Sequence, residues 1–260
     1  MNNNWLDSHA HLCEDEILLE IDDIIERAKE NGLSRVLTIA LDLEQYEIAL
    51  NLQRKYPMID IALGFHPENA DDITEQDFKQ LEEIAKSKMI VAIGEIGLDH
   101  YWRKDNKERQ REVFIRQIEI ANRANLPISI HSREASQELY QILKEYEVIE
   151  KGVLHCYSGS AEMAIEYMKL GYTVSFAGPI TFKNAVTSKL AAEVVPLDKI
   201  LIETDTPFLT PTPFRGKKNE PSYVVYTAKE ICEIKQISES ELQEAVQQNY
   251  QRLFLENKVI

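Results

Sequence analysis

The sequence predicts an α/β protein that forms one (β/α)8 barrel of the TIM type, and three observations support this fold class. Short apolar segments of strand length alternate eight times with segments of helical periodicity, the pattern of a parallel sheet covered by helices. The length of 260 residues is close to the roughly 250 residues of such a barrel. No linker, composition break or low-complexity stretch interrupts the chain, so residues 1–260 are expected to form a single domain.

The first half of the chain is predicted to contain four strand–helix units. Gly32 is a C-cap for the first helix, Pro57 ends the second, and Thr74 with Asp77 resembles an N-terminal capping signal for the third. The expected strands are the segment through His9 and His11 and residues 35–40, 59–64 and 90–97, and the expected helices are residues 20–31, 44–56, 74–86 and 106–125.

The second half continues the alternation. Its expected strands are residues 127–131, 152–155, 172–177 and 199–205, and its expected helices are residues 135–146, 160–170, 185–195, 222–234 and 238–255. Ser238 with Glu241 is a capping box for the last helix. Eight units favour a closed barrel over an open doubly wound sheet, and the absence of G-x-G-x-x-G after the first strand weakens that alternative further.

Composition limits the class of protein. The 44% apolar share allows a full core, and no apolar run approaches the roughly 18 residues of a membrane span. Residues 1–4 lack the basic and apolar regions of a signal peptide. Cys13, Cys156 and Cys232 are scattered and odd in number, which argues against a disulfide framework and favours a cytoplasmic location.

The net charge of −15 argues against a protein that coats nucleic acid by bulk electrostatics, although an enzyme can still bind phosphates locally. Two loops have the necessary positive charge. They are either solvated surface or phosphate-binding segments, and the sequence leaves both readings open. Their basic residues are Arg103, Lys104, Lys107, Arg109 and Arg111 in the first loop, and Arg215, Lys217 and Lys218 in the second.

Histidines and carboxylates recur at strand ends, and these ends meet at the C-terminal face of a barrel, where active sites of this fold lie. A single buried histidine is more often a hydrogen-bonded core residue than a ligand, but the set as a whole indicates a metal centre. The candidate ligands are His9, His11, Glu95, His131, His155 and Asp205. Six ligands suit two ions (Zn²⁺, Mn²⁺, Co²⁺ or Ni²⁺, with Mg²⁺ possible), and the two oxygens of Glu95 make it the candidate bridge.

Five short motifs together resemble the TatD family of metal-dependent deoxyribonucleases. The motifs are Ser8-His9-Ala10-His11-Leu12, Gly94-Glu95-Ile96-Gly97-Leu98-Asp99, Ile130-His131-Ser132-Arg133, His155-Cys156-Tyr157-Ser158-Gly159 and Glu203-Thr204-Asp205-Thr206-Pro207. The late run Arg215-Gly216-Lys217-Lys218-Asn219-Glu220-Pro221 also fits, and the match extends from about Leu6 to Leu255. The resemblance implies a TIM-barrel hydrolase related to the amidohydrolases that acts on nucleic-acid phosphodiesters.

The resemblance also implies how the ligands are divided. His9, His11, Glu95 and Asp205 would hold one ion, and Glu95, His131 and His155 the other. Asp205 and Glu95 are the expected catalytic residues, with Asp205 the candidate general base for a water on the metals. One departure is His100, where the family usually has an aromatic residue, commonly Tyr.

Several residues have two open interpretations. His66 would meet a phosphate, protonate a leaving group, or only cap a loop, and Arg133 would bind a phosphate or form a structural ion pair. Tyr101 and Trp102 would stack a base or form an ordinary amphipathic loop. Further candidates are Arg215 for phosphate binding, Glu203 as either a residue behind the ligands or a packed barrel residue, and Cys156, which is expected to face the helix layer.

The leading functional hypothesis is a metal-dependent DNase that degrades single-stranded ends as an exonuclease, with DNA or RNA as substrate and the protein a monomer. The alternative is a small-molecule hydrolase of the amidohydrolase superfamily that acts on a lactone, amide or phosphoester. A third reading is a non-catalytic scaffold with structural metals, which is disfavoured because structural sites are usually closed tetrahedra.

Overall fold

The computed structural model describes residues 4–256, and eight parallel strands within them pair in chain order from the first to the eighth. A backbone bridge between Ala10 and Thr206 joins the two ends of this sheet. The predicted (β/α)8 barrel is therefore confirmed. The strands are β1 (Trp5–Ala10), β2 (Leu33–Ala40), β3 (Ile59–Leu63), β4 (Ala92–Asp99), β5 (Ile128–Arg133), β6 (Gly152–Leu154), β7 (Thr173–Phe176) and β8 (Ile200–Ile202).

Ten α-helices surround the barrel in the described part of the chain. They are α1 (Asp15–Leu18), α2 (Ile21–Glu30), α3 (Leu43–Lys55), α4 (Glu75–Lys86), α5 (Lys107–Ala124), α6 (Ser136–Glu145), α7 (Ala161–Lys169), α8 (Val186–Val194), α9 (Val224–Lys235) and α10 (Glu239–Tyr250). A 3-10 helix (Pro67–Asp72) follows β3, and a π-helical turn (Gln251–Leu255) follows α10. Both capping boxes, Thr74 with Asp77 and Ser238 with Glu241, form as predicted.

The strand bounds differ from the prediction where they matter for the site. The short helix α1 was not predicted, and β6 and β8 end earlier than expected, at Leu154 and Ile202. His155 and Asp205 therefore lie in the loops after these strands, and His11 lies just beyond β1. Such loops form the mouth of the barrel, so the side chains still reach the expected end.

The core is continuous from the barrel interior to the helix layer. Strands β1, β3 and β4 are buried along their whole length. Most of β3 and β4 is accordingly apolar or glycine, whereas β1 contains the polar residues Asp7, Ser8 and His9. At one buried position of β3, Asp60 accepts hydrogen bonds from Arg35 (2.8 Å) and from the Tyr250 hydroxyl (2.9 Å). None of the described helices has the length and apolar character needed to cross a bilayer. The expectation about residues 1–4 falls, apart from Asn4, outside the described residues.

Candidate metal centre

Six side chains converge at the C-terminal mouth of the barrel, and Glu95 lies between two groups of them. Its Oε2 atom is 3.2 Å from His9 Nε2 and 3.7 Å from His11 Nε2. Its Oε1 atom is 2.7 Å from His131 Nδ1 and 2.6 Å from His155 Nε2. Each carboxylate oxygen thus faces its own pair of imidazoles, as a bridging ligand would.

The first group is completed by Asp205. Its Oδ1 atom lies 3.7 Å from His9 Nε2 and 3.3 Å from His11 Nε2, and the two imidazole nitrogens are 3.3 Å apart. Four ligand atoms about 2.1 Å from one tetrahedral ion would be separated by about 3.4 Å. The measured separations of 3.2–3.7 Å are close to that value.

The second group is formed by Glu95, His131 and His155, with His66 at its edge. His155 Nε2 lies 3.4 Å from His131 Nδ1, and His66 Nε2 lies 3.7 Å from Glu95 Oε1. This group offers three ligand atoms from three strand ends, or four from four with His66. Three protein ligands would leave a position on an ion for water or substrate, as in catalytic sites.

The donor chemistry fits divalent ions. Three sets of residues each bring three ligand atoms within 4.8 Å of one another. Two sets share His9, namely His9 with His155 and Glu203 and His9 with His11 and Asp205, and the third is His66 with Glu95 and His131. Imidazole and carboxylate donors without thiolate suit Zn²⁺, Mn²⁺, Co²⁺ or Ni²⁺. The Nε2 atoms of His9 and His11 are 3.3 Å apart, and both face the carboxylates of Glu95 and Asp205. This arrangement is typical of nitrogen donors that share a cation.

Three side chains behind the cluster orient the imidazoles. Asp99 Oδ2 lies 3.0 Å from His131 Nε2, and Ser129 Oγ lies 3.4 Å from His9 Nδ1. Glu203 Oε1 is 3.3 Å from His155 Nδ1 and accepts the backbone N–H of Cys156 at 2.6 Å. A carboxylate on the far nitrogen fixes the tautomer and the ring orientation of a ligating histidine. Glu203 therefore lies behind the ligands, one of the two positions considered for it.

Burial and charge oppose each other at the centre. Burial disfavours the ionised form of Glu95, but the positive charges of His155 and His9 outweigh it and hold the pKa of Glu95 well below its ordinary value. Burial also opposes ionisation of Asp205, and the hydrogen bond and charge of His11 still lower its pKa. Burial lowers the pKa of His66 to about 3, so its imidazole is neutral. The carboxylates are thus ionised, the form that binds a cation.

Asp7 holds the strand that carries His9 and His11 against the loop of Asp205. Its carboxylate accepts the backbone N–H of Thr204 (3.0 Å) and the Thr204 hydroxyl (2.5 Å). It is fully buried, and this burial raises the pKa of Asp7 to about 8. Asp205 itself has φ of +61°, an unusual value for a non-glycine residue, held by its backbone N–H bond to the carbonyl of His9 (2.9 Å).

A cavity of about 620 Å³ opens over the centre. His131, His155 and Asp205 line it together with Arg133 and Trp102. Arg133 is exposed, has no ion-pair partner among residues 4–256, and lies over the aromatic rings of Tyr101 (4.1 Å) and Trp102 (5.3 Å). The structural ion pair considered for Arg133 is therefore not what the structure has. The guanidinium lines the cavity without an ion pair, in contact with these two rings.

The other predicted substrate residues lie at different distances from the centre. His66 forms the cap considered for it, because its Nδ1 accepts the N–H of Glu68 (3.3 Å) at the start of the 3-10 helix, while Nε2 faces Glu95. Contact of His66 with a phosphate or a leaving group stays a prediction. Arg215 lies over the ring of Phe182 (4.4 Å) and does not line the cavity. His100 is buried, and its backbone N–H bonds to the carbonyl of Arg133 (2.9 Å).

The expectation for Cys156 was wrong. His155 and Cys156 lie in a turn after β6, where Cys156 has φ of +44°, so the strand alternation used to place its side chain does not apply. Cys156 lines the cavity instead of facing the helix layer. Sequence reasoning assigned no role to Asp99, although it is four residues after Glu95 on β4 and hence on the same face. Phe208, which also lines the cavity, gave no such periodic signal.

Comparison with known proteins places the chain among metal-dependent hydrolases. The family model described as TatD related DNase matches residues 6–255. The metal-dependent hydrolase YabD of Bacillus subtilis is 44% identical over 250 residues, which cover 95% of this chain and 98% of that protein. The metal-dependent hydrolase YcfH of Escherichia coli K12 is 36% identical over 253 residues, which cover 96% and 95%.

Solved structures agree on the architecture. The crystal structure of YJJV, a TatD homologue from Escherichia coli, superposes with a TM-score of 0.93 at 28% identity, covering 98% of this chain and 99% of that one. A TatD family hydrolase from Entamoeba histolytica superposes with a TM-score of 0.87 at 24% identity, with the same coverage, and shows the shared fold.

Proposed function

The chain belongs to the family of TatD-related DNases and is a metal-dependent hydrolase, and on this premise we propose that it hydrolyses phosphodiester bonds at the single-stranded ends of nucleic acid. The observation that carries the proposal is the position of Arg133. Its guanidinium forms no ion pair with any described residue and lies in the cavity that His131 and Asp205 also line, where the nearest acidic influence is that of Glu68. A guanidinium without an ion pair, beside a centre that would hold divalent cations, suits an anionic substrate with more than one phosphate.

Two divalent ions, held by His9, His11, Glu95 and Asp205 on one side and by Glu95, His131 and His155 on the other, would polarise the phosphoryl group and lower the pKa of a bound water. The residues of the chain do the rest. Asp205, ionised and within the cavity, accepts the proton of the attacking water. Arg133 neutralises a neighbouring phosphate, and Asp99 and Glu203 keep His131 and His155 in place.

The mouth geometry supports single-stranded ends over duplex. The cavity of about 620 Å³ has room for about one or two nucleotides, and the carboxylates of Glu95 and Asp205 are buried, so a chain end that enters the cavity approaches them more easily than a duplex. All six candidate ligands come from one chain, so the proposed enzyme works as a monomer. We also place it in the cytoplasm, a proposal supported by three cysteines that form no disulfide.

The apolar part of the cavity wall favours one alternative. A small apolar lactone or amide would also contact the surface formed by Phe176, Pro179, Ile180 and Leu209.

Digestion of 5′-labelled single-stranded DNA and RNA by the metal-loaded protein, with Asp205→Asn as control, distinguishes the proposed nuclease from this small-molecule hydrolase. Ladders of shortened DNA that disappear with chelator and with Asp205→Asn support the proposal. A wild-type protein inert on every oligonucleotide but active on lactones or amides would replace it with the alternative.

A further inference from the structure

Two apolar walls face each other across the cavity of the metal centre. Trp102 follows β4, whereas Phe208 and Leu209 follow β8, and these two strands are opposite each other in a ring of eight. All three side chains line the same cavity, together with His131 and Asp205. The candidate reaction centre thus lies between the two walls.

The three side chains are exposed to a degree that is unusual for residues of their size. Trp102 is 59% exposed, Phe208 50% and Leu209 41%. Single exposed apolar residues are ordinary on protein surfaces, but these gather around one cavity that also contains ionised groups. Pro179 and Ile180 extend the wall of Phe208. Flat apolar surfaces beside a free guanidinium are how proteins bind unpaired bases joined by phosphates.

We propose that each wall binds one unpaired nucleobase, so that the substrate is held through the bases on both sides of the phosphate that reacts. This inference rests on the proposed nuclease function and defines its substrate more closely: two consecutive nucleotides must both be unpaired. One base stacks on Trp102, where Arg133 is positioned for the adjoining phosphate. The other base lies against Phe208 and Leu209.

Phe208 places its base close to the first group of ligands. Its ring contacts the imidazole of His11 in an edge arrangement, with centroids 5.8 Å apart, while half of the residue stays open to the cavity. A base-paired nucleotide cannot use this surface, because its faces are covered by stacking and its edge by the partner strand. Recognition on both sides therefore selects frayed or single-stranded ends without reading sequence.

The test uses single-stranded oligonucleotides with one abasic residue either 5′ or 3′ of the scissile phosphate. For the wild-type protein, either abasic substrate should lower kcat/KM by roughly 5- to 100-fold, the loss expected for one base–aromatic stack. Trp102→Ala should remove the penalty on one side only, and Leu209→Ala or Phe208→Ala should reduce it on the other side only. Ile149→Ala is the matched control, since Ile149 is 59% exposed but precedes β6 at the opposite end of the barrel.

Binding gives a second readout that does not depend on turnover. Trp102 is exposed and the other tryptophan, Trp5, is buried, so quenching of fluorescence by an oligonucleotide reports on Trp102. In Asp205→Asn protein, quenching should be strong with the intact oligonucleotide and weak when the base on the Trp102 side is missing. The metal content of Phe208→Ala, measured in the same experiment, shows whether the substitution has disturbed the neighbouring His11. Leu209→Ala is a second variant of the same wall.

Three results would overturn the inference. If the wild-type protein cleaves both abasic substrates with the same kcat/KM as the intact one, it does not require the bases, although the nuclease function would stand. Wall variants that lose the penalty on the same side show that the walls do not flank the phosphate. Wild-type protein that is inert on all oligonucleotides with metal present removes the nuclease function, and with it this inference.

Discussion

Asp99 and His131 are joined by a contact of 3.0 Å between Asp99 Oδ2 and His131 Nε2. The other nitrogen of the same imidazole, Nδ1, faces Glu95 at 2.7 Å. Asp99 is itself held, because its Oδ1 accepts the backbone N–H groups of Tyr101 (2.9 Å) and Trp102 (2.8 Å). One carboxylate therefore fixes both a candidate ligand and the loop that carries the aromatic wall.

The first prediction follows from this contact. Asp99→Asn should weaken binding of Zn²⁺ or Mn²⁺ by about 10- to 100-fold, the usual effect of removing a carboxylate behind a ligating histidine. Isothermal titration of metal-free protein measures the change. Asp105→Asn in the same loop is the control, since Asp105 is exposed and its one ion pair within residues 4–256 is with Arg103. Equal affinities of wild type and Asp99→Asn would show that Asp99 does not position a ligand.

The second prediction concerns the role of Asp205. Asp205→Asn should lower kcat on oligonucleotides by at least about 10²–10⁴-fold, the contribution of a general base, while far-ultraviolet circular dichroism stays unchanged. The substitution keeps the size of the side chain but removes its basicity and charge. A folded, metal-loaded Asp205→Asn protein with near-wild-type kcat would rule out this role.

The third prediction separates the free cations from the paired ones. Arg103 pairs with Asp71 (2.5 Å) and Lys218 with Glu20 (3.0 Å), whereas Arg133 and Arg215 have no acidic partner within residues 4–256. Arg133→Gln should raise the oligonucleotide KM and reduce the slope of log KM against log salt by about 0.7, one phosphate contact to a single strand.

Arg111→Gln provides the control for this experiment. Arg111 lies on α5 and pairs with Glu145 on α6, away from the cavity. Its substitution should leave both KM and salt slope unchanged. An Arg133→Gln protein that behaves in the same way would mean that the guanidinium does not bind phosphate.

The fourth prediction concerns stability and pH. Hydrogen bonds from Arg123 and Lys86 lower the pKa of Glu82 to about 2. Because the folded pKa lies below the ordinary value of 4.5, the paired carboxylate stabilises the fold above about pH 4.5, and this contribution is lost as pH falls towards 2. The Glu82 side chain is partly exposed, at 27%, so screening by solvent limits the effect to under about 1 kcal/mol.

Urea unfolding at several pH values tests this point. Glu82→Gln should be less stable than wild type at pH 7, and the difference should shrink below pH 4. Glu83→Gln is the neighbouring control, since no ion pair of the described chain involves the Glu83 carboxylate. A difference between Glu82→Gln and wild type that grows as pH falls would contradict the assignment.

The sequence predicts the fold well because a parallel barrel has a simple signal. Strands buried on both faces are apolar runs, and helices are marked by caps such as Thr74 with Asp77, which form as expected. Strand ends were less predictable. Asp205 lies three residues beyond β8 with φ of +61°, a conformation that only the bond to His9 and the surrounding loop explain.

The candidate site, too, has parts that a local sequence pattern predicts and parts that it does not. The positions of His9 and His11 follow from the two-residue period, and the structure brings them within 3.3 Å of each other, while their role as ligands stays a prediction. Cys156 was misplaced because a turn replaces the strand there. Phe208 was missed because its importance depends on which loop faces it across the barrel, which no local pattern encodes.

The division of Glu95 between two groups is the central claim, and metal stoichiometry tests it most directly. Inductively coupled plasma mass spectrometry of protein dialysed against a slight excess of Zn²⁺ or Mn²⁺ measures ions per chain. We predict two ions per chain for the wild type and fewer than one for Glu95→Ala, because both groups lose a shared ligand. One ion per chain in the wild type, or two in Glu95→Ala, would contradict a centre built on a shared carboxylate.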